Sequence, residues 1–586
     1  MAAYHRIQAP IIRQFGSSTI TLTNEHVTIT IAQTVWTPRL WKALMTLLLS
    51  LVTTGETWVT GPSRIPRIPG QPRWKQIPCD GLTRLLYTHF ILPTHPLRTL
   101  FTAYAWSRID ALCAGPYRNQ RTGASAYAPQ MLFRVLVAMF ISGTPFESAT
   151  LMRLQTDVAW RWFVGLNLWC GTPDAGTLSR FRSRIGGGRF EQIFIDLLLA
   201  CDRAGLVGHV ESDDDMTGVA ASATQATPYQ RAVILSKALS TWLDADHGGV
   251  GTLDREDLAA IALEVLAAQH PSLKTVDPTQ VVVSQQASGG CVSEDRLAVS
   301  GWWSRLVQVC AGLSRPTSTT REGLRESIRQ AAQPLVSALP QAFGDHEAPV
   351  GHTRTTGTLC GYRRGFLVDA KRRIITAVIV VTLATAEAST VLSALEQYHA
   401  RFDRYPLRLG LDSAFDRDTV HQYLEAHGIG GAITGRSRPG AAGVFHADAF
   451  VWDTHNGLRC PQGESMRQVG GPYKDGTDRY RADADCAHCP LVEQCLTDAQ
   501  RAKPTPHREL RTTTEAHQRA QRHRERSRSP EGRAIRRRRF AADGVFGHAN
   551  RFHNGDKTPY RTGPMTHLAQ LMVAFVINLE TLASVQ

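Results

Sequence analysis

The stretch "GYRRGFLVDAKRRIITAVIVVTLA", residues 361–384, most constrains the fold. Two runs dominated by Val, Ile and Thr are joined at "DAKRR". Residues of that kind fill a pleated, half-buried surface, so the pattern predicts an antiparallel hairpin. Beyond it, "STVLSALEQYHARF" has the spacing of an amphipathic helix, and "YPLRLGLDSAFD" reads as a short apolar strand ending in an acid. "DRDTVHQYLEAHG" is a helix with a glycine stop. Strand, helix, strand, helix after an antiparallel hairpin implies an α/β fold with a mixed sheet flanked by helices. "GPMTHLAQLMVAFVINLETLA", near the C-terminus, is apolar nearly all round and reads as a buried helix.

A chain of 586 residues exceeds what one core usually serves, so two to four domains are expected. Residues 1–75 form an N-terminal extension, rich in Thr, Ile and Pro, that matches no chemistry. Its apolar run from Ala43 to Val52 falls well short of the roughly 20 residues of a membrane helix, and it is read as a buried helix or part of an unused extension. No targeting signal and no membrane partner are expected. Residues 76–206 are helical: "APQMLFRVLVAMFISG" opens with Pro129 and closes at Gly143, and "PDAGTLSRFRSRIGGG" has Asp174 as cap and Gly186 as stop. Arg180, Arg182 and Arg184 do not share one helical face, so a DNA-binding module and a plain packing domain both remain open. Residues 207–435 begin with a short strand after Val207, carry a helical insertion at about 227–345, and end with the hairpin region. A Cys-rich insertion at 440–500 and a basic segment with the last helices at 501–586 complete the chain.

The net charge of +14 is concentrated. Between Arg501 and Arg539 stand fourteen Arg/Lys against four Glu. Clustered arginine is the footprint of a phosphate-binding surface, because neutralising phosphates releases counterions. A solvated, disordered basic linker is the other reading. The run ends at Arg536, Arg537, Arg538 and Arg539, followed by a lone carboxylate, Asp543, a Gly-Val-Phe-Gly turn and a helix candidate. Asp543 is one of three acids that such a sheet would aim at a common cleft. Asp215 lies just beyond the short strand and Asp412 ends the strand "LRLGLD". Hard cations such as Mg²⁺ prefer oxygen ligands, and two of them clamp the attacking and leaving oxygens of a phosphodiester displacement. Acids for metal and arginines for phosphate are coherent with cutting or joining DNA.

Three blocks resemble the bacterial insertion-sequence DDE transposases. "DMTGVAASAT" is similar to their first-acid motif, and "LGLDSAFDRDTVHQYLEAHGIGGAITGRSR" to their second, with an aromatic, Phe415, three positions after the acid. The third block resembles a pattern of Tyr, Arg, Glu and Lys that here falls on Arg536, Arg539, Asp543 and Asn550, with Phe546 and Gly547 after the acid. The block departs from the family at three of its four positions, matching only at Arg539. Asp213 is an alternative first acid, since it shares a strand face with Asp215. The likeness runs from roughly His95 to the C-terminus. It implies a ribonuclease-H-like core and an N-terminal DNA-binding region. It also implies cleavage of transposon ends and strand transfer with two Mg²⁺, or Mn²⁺ in their place. The implied ligands are Asp215, Asp412 and Asp543. The implied partners are the terminal inverted repeats and target DNA, bound by a homodimer at the bacterial nucleoid in the cytoplasm. An inactivated DNA-binding descendant and a nuclease that cuts without joining are the alternatives.

Of eleven cysteines, seven are scattered singly, which argues for a reducing compartment. The other four, Cys460, Cys486, Cys489 and Cys495, include a C-x-x-C pair and fit a closed, structural Zn²⁺ site. His488 offers a substitute ligand, and unpaired structural cysteines are the plain alternative.

Overall fold

The computed structural model describes three short strands within the first 30 residues and then the chain from residue 74 to 585. Excluded are brief stretches, the longest at 118–124, 245–252, 287–305 and 435–443. The apolar run from Ala43 to Val52 lies outside the described residues. The first strands, Ile11–Phe15, Ser18–Leu22 and Val27–Thr30, pair antiparallel.

Helices dominate from Gly81–Phe90 to Gly187–Arg203. Pro129–Ile141 is buried along almost its whole length, and Gly143 closes it at φ 59°. In Ala175–Ile185 the Asp174 side chain accepts the Thr177 amide, and Gly186 ends the helix at φ 72°. Two of its three arginines turn to internal partners, and Arg180 is exposed beside Asp174. Arg182 pairs with Glu147 and lies 4.4 Å over the Tyr560 ring, while Arg184 covers Tyr117 at 4.8 Å.

The sheet follows. Strand β1 (Glu211–Ala220) is central. It runs antiparallel to β2 (Gly357–Asp369), which forms the expected hairpin with β3 (Ile374–Thr382) through a turn at Arg373, φ 59°. Helix α1 (Glu387–Phe402) leads to β4 (Arg408–Leu411), parallel to β1, and α2 (Asp418–Ala426) leads to β5 (Gly430–Ile433), parallel to β4. The order is β5-β4-β1-β2-β3, with Val350–Thr353 pairing the start of β2. This is the mixed α/β sheet that the sequence pattern predicts. Between β1 and β2 the inserted helices, among them Pro228–Asp244, Arg255–Ala267 and Arg321–Ala332, bury Leu235, Ile261, Leu266 and Ile328 in a core of their own.

The C-terminal part consists of α3 (Thr514–Arg528), α4 (Pro530–Arg538), α5 (Phe540–His553) and α6 (Gly563–Ala583). The basic segment is therefore no disordered linker. Ion pairs tie it to the sheet layer: Arg519 reaches Asp418 at 3.2 Å and Arg522 reaches Glu425 at 3.0 Å, while Arg408 of β4 reaches back to Glu531 of α4 at 2.7 Å. Among the described residues α6 alone is long and apolar enough to cross a membrane, yet 78% of that window is inside the protein. It is the core helix. Phe575 touches Tyr104, Trp106 and Phe133, so one hydrophobic core joins the helices of the 81–203 region to the C-terminal helix. Asn578 donates to the Ile375 carbonyl and accepts from the Ile375 amide, both at 2.8 Å, where a bulge between β2 and β3 breaks the ladder.

Candidate active site

Two expectations about the acids need correction. Asp215 does not lie beyond a strand, since β1 runs on through it to Ala220. Antiparallel pairing with β2 holds every residue from Ser212 to Ala220, and this overrides the poor strand propensity of consecutive aspartates. Nor does a Gly-Val-Phe-Gly turn follow Asp543. Helix α5 continues through Gly544 and Gly547, because Val545 and Phe546 are buried on its inner side. The Phe546 ring stacks on Phe366 of β2 at 5.1 Å and 14°. That packing outweighs the cost of two helical glycines, roughly 1 kcal/mol each.

Alternation along β1 sends Asp213 and Asp215 to one face and Asp214 to the other. Parallel pairing sets Gly410 beside Asp213, and continuing that register by two residues sets Asp412 beside Asp215. Gly410 is required there, because a Cβ at this position would strike the Asp213 carboxylate. Asp412 is half-buried and its carboxylate accepts the Ala414 amide at 2.7 Å, so it caps the turn that leaves β4. Asp543, in the first turn of α5, is exposed. Its carboxyl lies close enough to bear on Asp215, as does the Asp412 charge. The structure thus brings together the three acids singled out in the sequence.

Between the two candidates for first acid, the surroundings differ. Asp215 keeps 23% of its side chain open, whereas Asp213 is wholly buried and neither of its carboxylate oxygens has a hydrogen-bond partner. Burial pushes the Asp215 carboxyl up to about 7, and the Asp543 and Asp412 carboxyls add to the rise against the Met216 amide and Arg539. Burial, then Glu211, likewise lifts Asp213 to about 7. Asp214 is pushed well above the usual carboxylate range by burial and by its acidic neighbours. A face built from acids that raise one another calls for positive charge. Arg538 is already bidentate on Glu211 at 2.9 and 2.6 Å, and Arg539 stands 3.9 Å from Asp215. An all-oxygen donor set of this kind fits a hard divalent cation.

The four arginines accordingly divide. Arg538 holds α4 to β1, Arg539 turns to Asp215, Arg536 is half-buried, and Arg537 is exposed. Behind the acids, sequence reasoning missed Arg364. This wholly buried guanidinium donates to the Gly555 carbonyl at 2.8 Å, to Gln570 at 2.8 Å and to Asn550 at 2.9 Å. It lies 4.6 Å from the Phe366 ring and 5.0 Å from that of Phe546, and burial pushes it down to about 9. An arginine at an inward position of an apolar strand was the signal available. Asn550 thus serves the support of α5 on β2.

In the Cys-rich insertion, Cys460, Cys486, Cys489 and Cys495 line one cavity of about 250 Å³, and none is in a disulfide. Burial pushes the Cys495 thiol up to about 11, with the other three thiols adding to it. His488 turns away, 87% exposed and bonded to Asp485 at 2.6 Å.

Comparison with known families bears on this arrangement. The Transposase domain (DUF772) matches residues 86–184, and the Transposase DDE domain matches residues 459–583. Both matches support an insertion-sequence DDE transposase. The second match contains Asp543 and the four cysteines, and Asp215 and Asp412 fall between the two spans. Comparisons with curated proteins and with solved structures give no match. A DDE transposase domain implies a nuclease-type enzyme, DNA as partner and the general use of divalent metal.

Proposed function

We propose that the transposase cuts at the ends of its element and joins them to target DNA, with Asp215, Asp412 and Asp543 as the metal ligands. The observation that carries this is the meeting of Asp543 and Asp412 at the Asp215 carboxyl. The strand order, with β1, β4 and β5 parallel and β2 antiparallel to β1, supports a ribonuclease-H-like core. These acids would hold two Mg²⁺ ions, which would supply positive charge for phosphodiester displacement. The residues of the chain do the rest. β1 carries Asp215, the turn that leaves the neighbouring β4 carries Asp412, and α5 brings the third from outside the sheet. The shorter Asp543 side chain, where the family has Glu, suits a helix drawn close by the Phe546 and Phe366 stack. Arg539 steadies Asp215 or a phosphate beside it, and exposed Arg537 meets the DNA backbone.

The convergence of four free thiols supports a structural Zn²⁺ in the Cys-rich insertion, held by Cys460, Cys486, Cys489 and Cys495. The partners in this reading are the terminal inverted repeats and target DNA, engaged by a homodimer on the bacterial nucleoid.

The test is purified protein on labelled element ends with Mg²⁺ or Mn²⁺. Asp412→Ala and Asp215→Asn should bind DNA as wild type does and give neither nicks nor joined products. Cleavage at wild-type rate by either variant removes the site assignment, and nicking without joining by the wild type identifies a nuclease.

A further inference from the structure

The far end of α5 holds a second group of ligands, away from the acid face. His548 Nε2 lies 3.1 Å from Glu580 Oε2, His553 Nε2 lies 3.3 Å from the same oxygen, and the two ring nitrogens are 3.2 Å apart. Among the described residues this is the one set of three or more His, Cys, Asp or Glu side chains whose ligand atoms all lie within 4.8 Å of one another. The His553 side chain is 1% exposed, whereas those of His548 and Glu580 are 42% and 31% exposed. The group has a buried floor and an open side.

Hydrogen placement leaves this group short of positive charge. His553 Nδ1 is 2.9 Å from the Phe140 carbonyl oxygen, which can only accept. Nδ1 therefore carries the hydrogen, and Nε2 of the neutral ring is a bare lone pair. That lone pair faces a carboxylate oxygen and the other imidazole. His548 has at most one Nε2 hydrogen and can aim it at one of them. In a buried place such facing acceptors are costly unless a cation sits between them. The cation is either a proton, which makes His553 an imidazolium, or a metal ion.

The dimensions favour the metal. Ligand atoms about 2.0–2.1 Å from a tetrahedral zinc stand about 3.3 Å apart, close to all three separations. The bond from Nδ1 to a backbone carbonyl is how metal-bound histidines are commonly oriented. Two imidazoles and a carboxylate suit zinc or a similar transition metal, not the Mg²⁺ of an all-oxygen site. Glu580 also borders a cavity of about 640 Å³, which leaves room for water as a fourth ligand.

We propose that His548, His553 and Glu580 form a transition-metal site of zinc type, separate from the acids and from the cysteine cluster. The ion ties the last turn of α5 to the last turn of α6. Because α5 presents Asp543 in its first turn, the site anchors the helix that carries an acid of the sheet face, although metal binding here does not depend on what those acids do.

Co²⁺ titration of the full chain tests this, since a nitrogen and oxygen site gives d–d absorption without the near-ultraviolet thiolate charge transfer of a cysteine site. Wild type should bind one such Co²⁺ that Zn²⁺ displaces. His548→Ala and Glu580→Gln should lose about 100-fold or more in affinity, since supporting residues alone are worth 10–100-fold. His548→Gln, at a half-open position, should keep the wild-type circular dichroism spectrum while losing the site. Zn²⁺ should raise the unfolding temperature of wild type more than that of these variants. Equal cobalt uptake by wild type and variants overturns the proposal. So does an imidazolium at His553, seen by nuclear magnetic resonance, that persists in excess Zn²⁺.

Discussion

Phe546→Leu probes whether the helix that bears Asp543 is located by one aromatic contact. Phe546 is 7% exposed, stacked on Phe366 at 5.1 Å and capped by the Arg364 guanidinium at 5.0 Å. Leucine keeps the helix and most of the apolar volume but removes both ring interactions. An aromatic pair is worth about 0.5–1.5 kcal/mol beyond its area, and a cation–π contact from about 0.5 kcal/mol when exposed to about 2 kcal/mol or more when desolvated. The expected loss is therefore about 1–3 kcal/mol in urea unfolding with an unchanged slope. Phe366→Leu should cost a similar amount, and the double variant should cost less than the sum by about 0.5–1.5 kcal/mol. Asp543 sits one helical turn before Phe546, so the slackened helix should misplace its carboxyl. A displacement of about 1 Å can cost about 100-fold in rate. Cleavage of element-end DNA should fall by that order while binding to the same DNA is kept. Additive stabilities would show that the rings do not support each other, and wild-type cleavage would show that they do not position the acid.

Asn578→Ala leaves the Ile375 amide and carbonyl without partners inside the core, and should cost about 2–5 kcal/mol in urea unfolding. A loss under about 1 kcal/mol would mean that the bulge is satisfied in another way. Arg537→Gln should weaken DNA binding and lower its dependence on the logarithm of salt by about one phosphate, without altering stability. Arg538→Gln should instead lower stability by about 1–2 kcal/mol, because it strips the buried Glu211 carboxylate of its partner, with allowance for the solvent exposure of the arginine. The reverse pattern would exchange the roles given to the two arginines. Cys486→Ser should lose one equivalent of Zn²⁺ in metal analysis of the purified chain, and retention of full zinc content would remove the cysteine cluster as its holder.

What was legible in the sequence is what repeats with a period. The β2–β3 hairpin, α1, β4, α2 and the buried α6 stand where the alternation of apolar residues puts them, each being set by its own face toward the core. The strand around Asp215 was cut short because three successive acids contradict strand propensity, and only pairing to β2 along its length holds them extended. That conflict between local preference and observed structure falls on the acid face itself, as expected where burial is used to push carboxyls upward. The turn assigned after Asp543 has the same origin. Two glycines signal a break, and the ring between them, whose partner Phe366 lies on a strand far away in sequence, prevents it. Arg364 and the group of His548, His553 and Glu580 were illegible for a different reason. Each is defined by residues on separate elements, and no spacing within one segment encodes their meeting. Asp543 itself stands out in the sequence, but the run of α5 through its glycines and the meeting at its histidine end both depend on distant packing. The helix that carries them is therefore the element on which substitutions far from the acids should act most strongly.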